Sequence, residues 1–183
     1  HNHVDYADLN KVKKAIDTND IHPKMPDYEG YKDYILLGGY KTLTKVKKIE
    51  KSNSWFNHLT KSGLRGLGGA GFNTARKWNL VSSEKGSKFV AVNADEGEPG
   101  TFKDRHYLEK EPHMFLEGML LAAHAINAEK CFIYLRDEYP AILKILKKEI
   151  LNLEKNNIIP KNYIDLRRGA GAYICGEESA MIE

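Results

Sequence analysis

Two cysteines, Cys131 and Cys175, are all that the 183 residues contain. They cannot build a disulfide framework or a four-cysteine iron–sulfur site, and a reducing setting is the simplest expectation. Charge of one sign is also scarce. The 28 Lys and Arg against 25 Asp and Glu leave a formal +3, so no concentrated basic field for nucleic acid is expected. The longest apolar stretches, such as Met119–Ala123, are too short to span a bilayer, and no direct membrane insertion is expected. The N-terminus is polar and His-rich, without the apolar core of a secretory signal. The seven histidines show no metal-ligand spacing, which leaves them core, cap or surface roles. A G-x-S-x-G elbow is missing, and so is a Walker lysine after the glycine loop.

What is present fits a folded chain of one sizeable domain, or a domain with an extension: 42% apolar and 29% charged residues. Residues 1–50 read as an N-terminal extension or adaptor. Asp8–Ile16 suggests a short helix, Ile21–Pro26 an extended proline-punctuated link, Tyr31–Leu37 a helix or strand, and Leu43–Ile49 a basic surface helix. From residue 51 the pattern sharpens. Helices are expected at Ser54–Thr60, Thr74–Val81, Pro112–Ala125 and Tyr139–Lys155. Strands are expected at Lys88–Val92, taken as buried, and at Cys131–Leu135 and Tyr163–Leu166. Strand, helix, strand, helix, strand is the βαβ order, which predicts parallel strands with right-handed crossovers. The chain starts at His1 and stops at Glu183 inside what reads as a young helix, so a fragment of a longer protein is expected.

Three segments carry candidate chemistry. Gly66-Leu-Gly68-Gly69-Ala-Gly71 opens a helix; it suits a phosphate or is a flexible turn. Lys77 would reach an anion or stay a solvated lysine. Asn93, Asp95, Glu96 and Glu98 follow the C-terminal end of a parallel strand, where α/β sheets bind ligands. Carboxylates there accept from ribose hydroxyls or a ring N–H, hold a hard cation, or are simply solvated. Gly169-Ala-Gly171-Ala-Tyr173-Ile-Cys175-Gly176-Glu177-Glu178 again joins a strand to a helix. Its small residues would admit a flat ligand, and Cys175 reads as a small buried thiol rather than a nucleophile.

Together the three segments are far more specific than any one. Gly63-Leu-Arg-Gly-Leu-Gly-Gly-Ala-Gly-Phe72 through Lys77-Trp78, Asn93 through Arg105, and Arg168 through Glu178 resemble, in order and spacing, the FMN- and NADH-binding flavoprotein subunit of respiratory complex I, the NADH:quinone oxidoreductase. Related diaphorase subunits of NAD-dependent formate dehydrogenases and hydrogenases share the module. The resemblance implies a Rossmann-like three-layer α/β/α fold over residues 51–183, and hydride transfer from NADH to FMN with electrons passing on to iron–sulfur clusters. It places Gly66, Gly68, Gly69, Lys77, Asn93, Asp95, Glu96, Tyr173, Gly176, Glu177 and Glu178 at the FMN site. Phe72, Glu98 and Glu178 fall at the NADH site, with no side chain acting as acid or base. The 4Fe–4S cluster of the family belongs to a later part that these residues do not include. Iron–sulfur partner subunits, and a cytoplasmic place or one on the inner membrane face through those partners, are implied too. Leu67 and Asn73 depart from the family's usual arginine and proline. Without the later part the flavin site is expected to be incomplete and the isolated chain weakly active. The alternative is a folding or interaction module that no longer holds flavin.

Overall fold

The computed structural model describes residues 7–19, 24–49, 54–67 and 70–182. Gly68, Gly69 and the start of the Ile21–Pro26 link lie outside the described residues. In chain order the elements are α1 (Leu9–Asp17), α2 (Tyr31–Leu36), α3 (Lys41–Lys48), α4 (Ser54–Lys61), α5 (Thr74–Ser83) and β1 (Phe89–Ala94). There follow α6 (Lys103–Lys110), α7 (Pro112–Ile126), β2 (Lys130–Leu135), α8 (Pro140–Lys155), β3 (Ile164–Arg168), a 3-10 turn (Tyr173–Gly176) and α9 (Glu178–Ile182).

The sheet has the order β1-β2-β3, with both pairs parallel. Val92 lies opposite Ile133, and Ile133 opposite Leu166. In β2 every second side chain is sealed: Cys131, Ile133 and Leu135 are fully buried, whereas Phe132 and Tyr134 are half-buried. That alternation follows from the pleat, which sends successive side chains to opposite faces. Cys131, Ile133 and Leu135 share one core with Leu116, Met119, Leu120 and Ala123 of α7 and with Ile142, Leu146, Ile150 and Leu153 of α8. Right-handed crossovers with this strand order place both helices on one face. Among the described residues the opposite face stays open, with Phe89 half-exposed and Phe132 beside it at a ring distance of 6.0 Å.

Local chemistry sets the helix limits. Pro112 and Pro140 begin α7 and α8, where a missing N–H costs nothing. Asn127 ends α7 in the left-handed region, and the N–H of Ala128 returns to Ala123 O at 2.8 Å. Asn73 caps α5 by accepting from the Arg76 N–H at 2.9 Å. A proline at this position would have no such oxygen to offer.

Two expectations change. β1 is half-buried rather than buried: Phe89, Ala91 and Asn93 lie on the open face of the sheet and are exposed, while Val90, Val92 and Ala94 pack against the core. α6 has no counterpart in the apolar pattern, since its eight residues bury Leu108 alone. Within residues 1–50, Tyr40 and Leu43 belong to the same core as the sheet.

That last arrangement rests on two buried carboxylates. Glu117 of α7 accepts from Tyr34 Oη (2.6 Å), the Tyr40 N–H (2.8 Å) and the Leu43 N–H (3.1 Å), and so caps α3. Glu149 of α8 accepts from Tyr28 Oη (2.7 Å), His113 Nε2 (2.9 Å) and Asn152 Nδ2 (2.8 Å), and meets the first N–H of α2 at 3.4 Å. His113 is fully buried and faces Tyr40 Oη through Nδ1 at 2.8 Å. It is a core histidine. Burial works against the charge of Glu149, but donation from His113, Asn152 and Tyr28 outweighs it and holds the carboxyl down to about 2.

Candidate functional site

The carboxyl edge of the sheet is where three connections meet. The chain leaves β3 at Arg168, turns at Gly169, crosses the end of β2 and reaches the end of β1 at Gly176. Two hydrogen bonds record the crossing: the Gly169 N–H donates to Leu135 O at 2.7 Å, and Asn93 Nδ2 donates to Gly176 O at 2.8 Å. The second and third candidate segments therefore form one crevice. Asn93 organises it from both sides, since its Oδ1 also accepts from the Asp95 N–H at 3.1 Å.

Asp95 lies at the bottom of this crevice. Its residue is 9% exposed, and Oδ2 is buried with no hydrogen-bond partner among the described residues. Burial pushes its carboxyl upward, and the neighbouring Arg136 cation opposes that shift. A buried acceptor without a donor is costly. Such an acceptor calls for an N–H or O–H donor. A flavin with its ring imide and ribityl hydroxyls offers such donors, so the residues present suit FMN.

The glycines divide into two kinds. A Cβ on Gly169 would lie 2.8 Å from Asp95 Oδ2 and 3.2 Å from Leu135 O, and one on Gly176 would lie 2.9 Å from Asp95 O. Both glycines sit against other protein atoms that leave no room for a Cβ. In the glycine loop, by contrast, among the described residues a Cβ on Gly66 would meet only Phe72 O at 3.9 Å, and one on Gly71, at φ +53°, would meet nothing within 4 Å. Gly66 and Phe72 are joined by an N–H donation of 2.9 Å, and Arg65 and Asn73 form an antiparallel bridge, so the loop is a closed hairpin between α4 and α5. A cavity of about 740 Å³ lies beside it, lined by Phe56, Asn57, Thr60, Asn73, Arg76 and Asn79.

The other expected residues take distinct places. Lys77 is exposed on α5, and the half-exposed Phe72 ring carries the Arg76 guanidinium at 5.7 Å. Glu96 is taken up by the protein: it accepts from the Asp104 N–H (3.0 Å), the Arg105 N–H (3.2 Å) and Tyr139 Oη (3.2 Å). Burial opposes its charge, but these three donors outweigh it and hold its carboxyl below the ordinary range. Glu96 is thereby the N-terminal cap of α6, the helix that the apolar pattern did not reveal. Tyr173 Oη donates to Glu98 Oε1 at 3.0 Å across the mouth of the crevice. Glu177 accepts from the Ser179 N–H at 3.0 Å and the Ala180 N–H at 3.3 Å, and so caps α9. Glu178 is exposed at the start of that helix. The crevice thus unites Asn93, Asp95, Glu98, Tyr173 and Gly176. The described contacts of the glycine loop are instead with itself, α4 and α5.

Sequence reading passed over Tyr134, Arg136 and Tyr139. Tyr134 hydrogen-bonds the Cys175 sulfur; this, with the Ala172 and Ala170 amides, lowers the thiol from its ordinary range. Arg136 donates through Nη1 to Glu96 O. These residues could have been found from position alone, because they sit at or just after the end of the middle strand, where a parallel sheet gathers its ligands.

Comparison with known proteins agrees with this geometry. Over 170 residues the chain is 43% identical to an NADH-quinone oxidoreductase subunit of Aquifex aeolicus (strain VF5), covering 87% of this chain and 39% of that protein. It is 40% identical over 168 residues to the like-named subunit of Rhizobium meliloti (strain 1021), covering 87% of this chain and 40% of the relative. The chain thus spans about two-fifths of the length of these relatives. Among solved structures, an NAD+-reducing [NiFe]-hydrogenase in the air-oxidized state superposes with a TM-score of 0.64 at 44% identity, over 71% of this chain and 23% of that one. Residues 59–183 match the Nuo51 FMN-binding domain, and they include the glycine loop, Asp95 and the crossing at Gly176; the chain belongs to that FMN-binding family.

Proposed function

We propose that this chain carries the flavin-binding part of an NADH-oxidising module and that FMN occupies the crevice at the carboxyl edge of the sheet. The observation that supports this most is the buried, unpartnered Oδ2 of Asp95, within the stretch that matches an FMN-binding family. When bound, FMN would supply the hydride acceptor and the means of passing electrons on singly. The chain's own residues bind and orient. Asp95 accepts a hydrogen bond from the ligand, and Asn93 holds Gly176 and the Asp95 backbone in register. The open side of Gly66 and Gly71, with the Lys77 cation, receives a phosphate. Phe72, Glu98 and Glu178 serve the incoming NADH. Residues 51–183 form the binding part, and residues 28–48 clasp it from behind. Electrons leave toward iron–sulfur clusters in other domains or partner subunits of a peripheral, multi-subunit oxidoreductase.

Titration of FMN with the chain, followed by quenching of flavin fluorescence, tests this reading. Saturable binding is expected, weakened about tenfold or more by Asp95→Ala and by Lys77→Ala, the loss of one charge-assisted hydrogen bond each. A well-folded chain that takes up no FMN would overturn the proposal and favour a folding or interaction module without flavin.

A further inference from the structure

The backbone on both sides of Asp95 is held by one residue of another strand connection. The N–H of Arg136 donates to Ala94 O at 3.1 Å, and its guanidinium Nη1 donates to Glu96 O. Asp95 lies between these two carbonyls. Arg136 is itself immobilised: Nε and Nη2 meet the two oxygens of Glu138 at 3.0 and 3.3 Å, and its guanidinium lies 5.7 Å from the centroid of the Tyr139 ring. Tyr139 closes the circuit by donating to Glu96 Oε2 at 3.2 Å, while the first N–H groups of α6 occupy the same carboxylate. A planar guanidinium suits this task, since it serves a carboxylate and a carbonyl in one plane and stacks on an aromatic face.

We propose that Arg136 is the positioning residue of the flavin crevice, supported by Tyr139 and Glu96, and that it acts by presenting the Asp95 carboxylate to the ligand. This rests on the reading that FMN occupies the crevice. It also changes the part played by Glu96, which holds the frame while Asp95 meets the ligand. Arg136 has a second, electrostatic effect. Asp95 is faced by Asp137 and Glu138 from the turn after β2, by Tyr134 of β2 and by Cys175 of the 3-10 turn. Arg136 is the cation in that group, so its removal leaves Asp95 facing two repelling carboxylates.

Two arms test the inference. In the first, the Asp95 carboxyl is titrated by NMR in the FMN-free chain. Arg136→Gln should move its midpoint upward, and Arg136→Lys, which keeps the charge, should move it less. In the second, FMN affinity is measured in a double-mutant cycle of Arg136→Gln with Asp95→Asn. If Arg136 acts through Asp95, Arg136→Gln weakens binding about tenfold in the parent chain and little in the Asp95→Asn background. Equal losses in both backgrounds, or no loss in the parent, overturn the inference, because a residue that merely stabilised the fold would add independently. Should Arg136→Gln fail to fold, Tyr139→Phe removes a single hydroxyl and carries the same cycle. If the parent chain takes up no FMN, the functional reading fails. The positioning claim then stands or falls on the NMR arm, where an unmoved midpoint overturns it.

Discussion

A buried carboxylate oxygen with no donor, pressed against a glycine, is the most informative atom in this chain. Asp95 Oδ2 has that position because Gly169 leaves room for it. The two classes of glycine can be separated by experiment. Gly169→Ala should cost about 1–3 kcal/mol, the range for overpacking a well-filled site, read as a lower urea midpoint. Gly66→Ala brings its methyl no closer to a described atom than 3.9 Å from Phe72 O, so stability should stay within about 0.5 kcal/mol while FMN uptake falls. An equal loss of stability in both variants would show that the glycine loop is as tightly packed as the β3 turn.

At the scale of elements, α2 and α3 are too short to stand alone, with six and eight residues. They persist because Glu149 and Glu117 reach out of α8 and α7 to their N-terminal amides. This makes the attachment pH-dependent. The folded carboxyl of Glu149 sits at about 2 against an ordinary 4.5. A depressed acid contributes stability that is complete above the ordinary value and is lost as pH falls toward the folded one. Acid unfolding should therefore draw on Glu149 between about 4.5 and 2. Glu149→Gln should cost about 1–3 kcal/mol at pH 7 by leaving donors poorly served, and should flatten stability against pH across that window. An unchanged pH curve in the variant would remove Glu149 from the account.

At the scale of the molecule, residues 28–48 and the sheet share one core, whereas α1 buries none of its nine residues. Deleting the chain through residue 19 should leave the thermal midpoint within a few degrees. Deleting it through residue 48 should expose His113, Glu117 and Glu149 and abolish the cooperative transition, since an unpaired buried charge is strongly destabilising. Calorimetry on the two deletions separates these outcomes. The sequence by itself determined the βαβ order, because apolar periodicity and proline and glycine punctuation are local. It also singled out the three candidate segments, because their residue spacing is specific. It could not show that Glu96 caps α6, or that Tyr40 and Leu43 complete the core. Nor could it show that Arg136 pins the carbonyls on either side of Asp95. Each of these joins groups from 40 to 83 residues apart or turns on which oxygen already has a donor. Such facts follow from chain crossing and burial, which exist only once the strands are laid side by side.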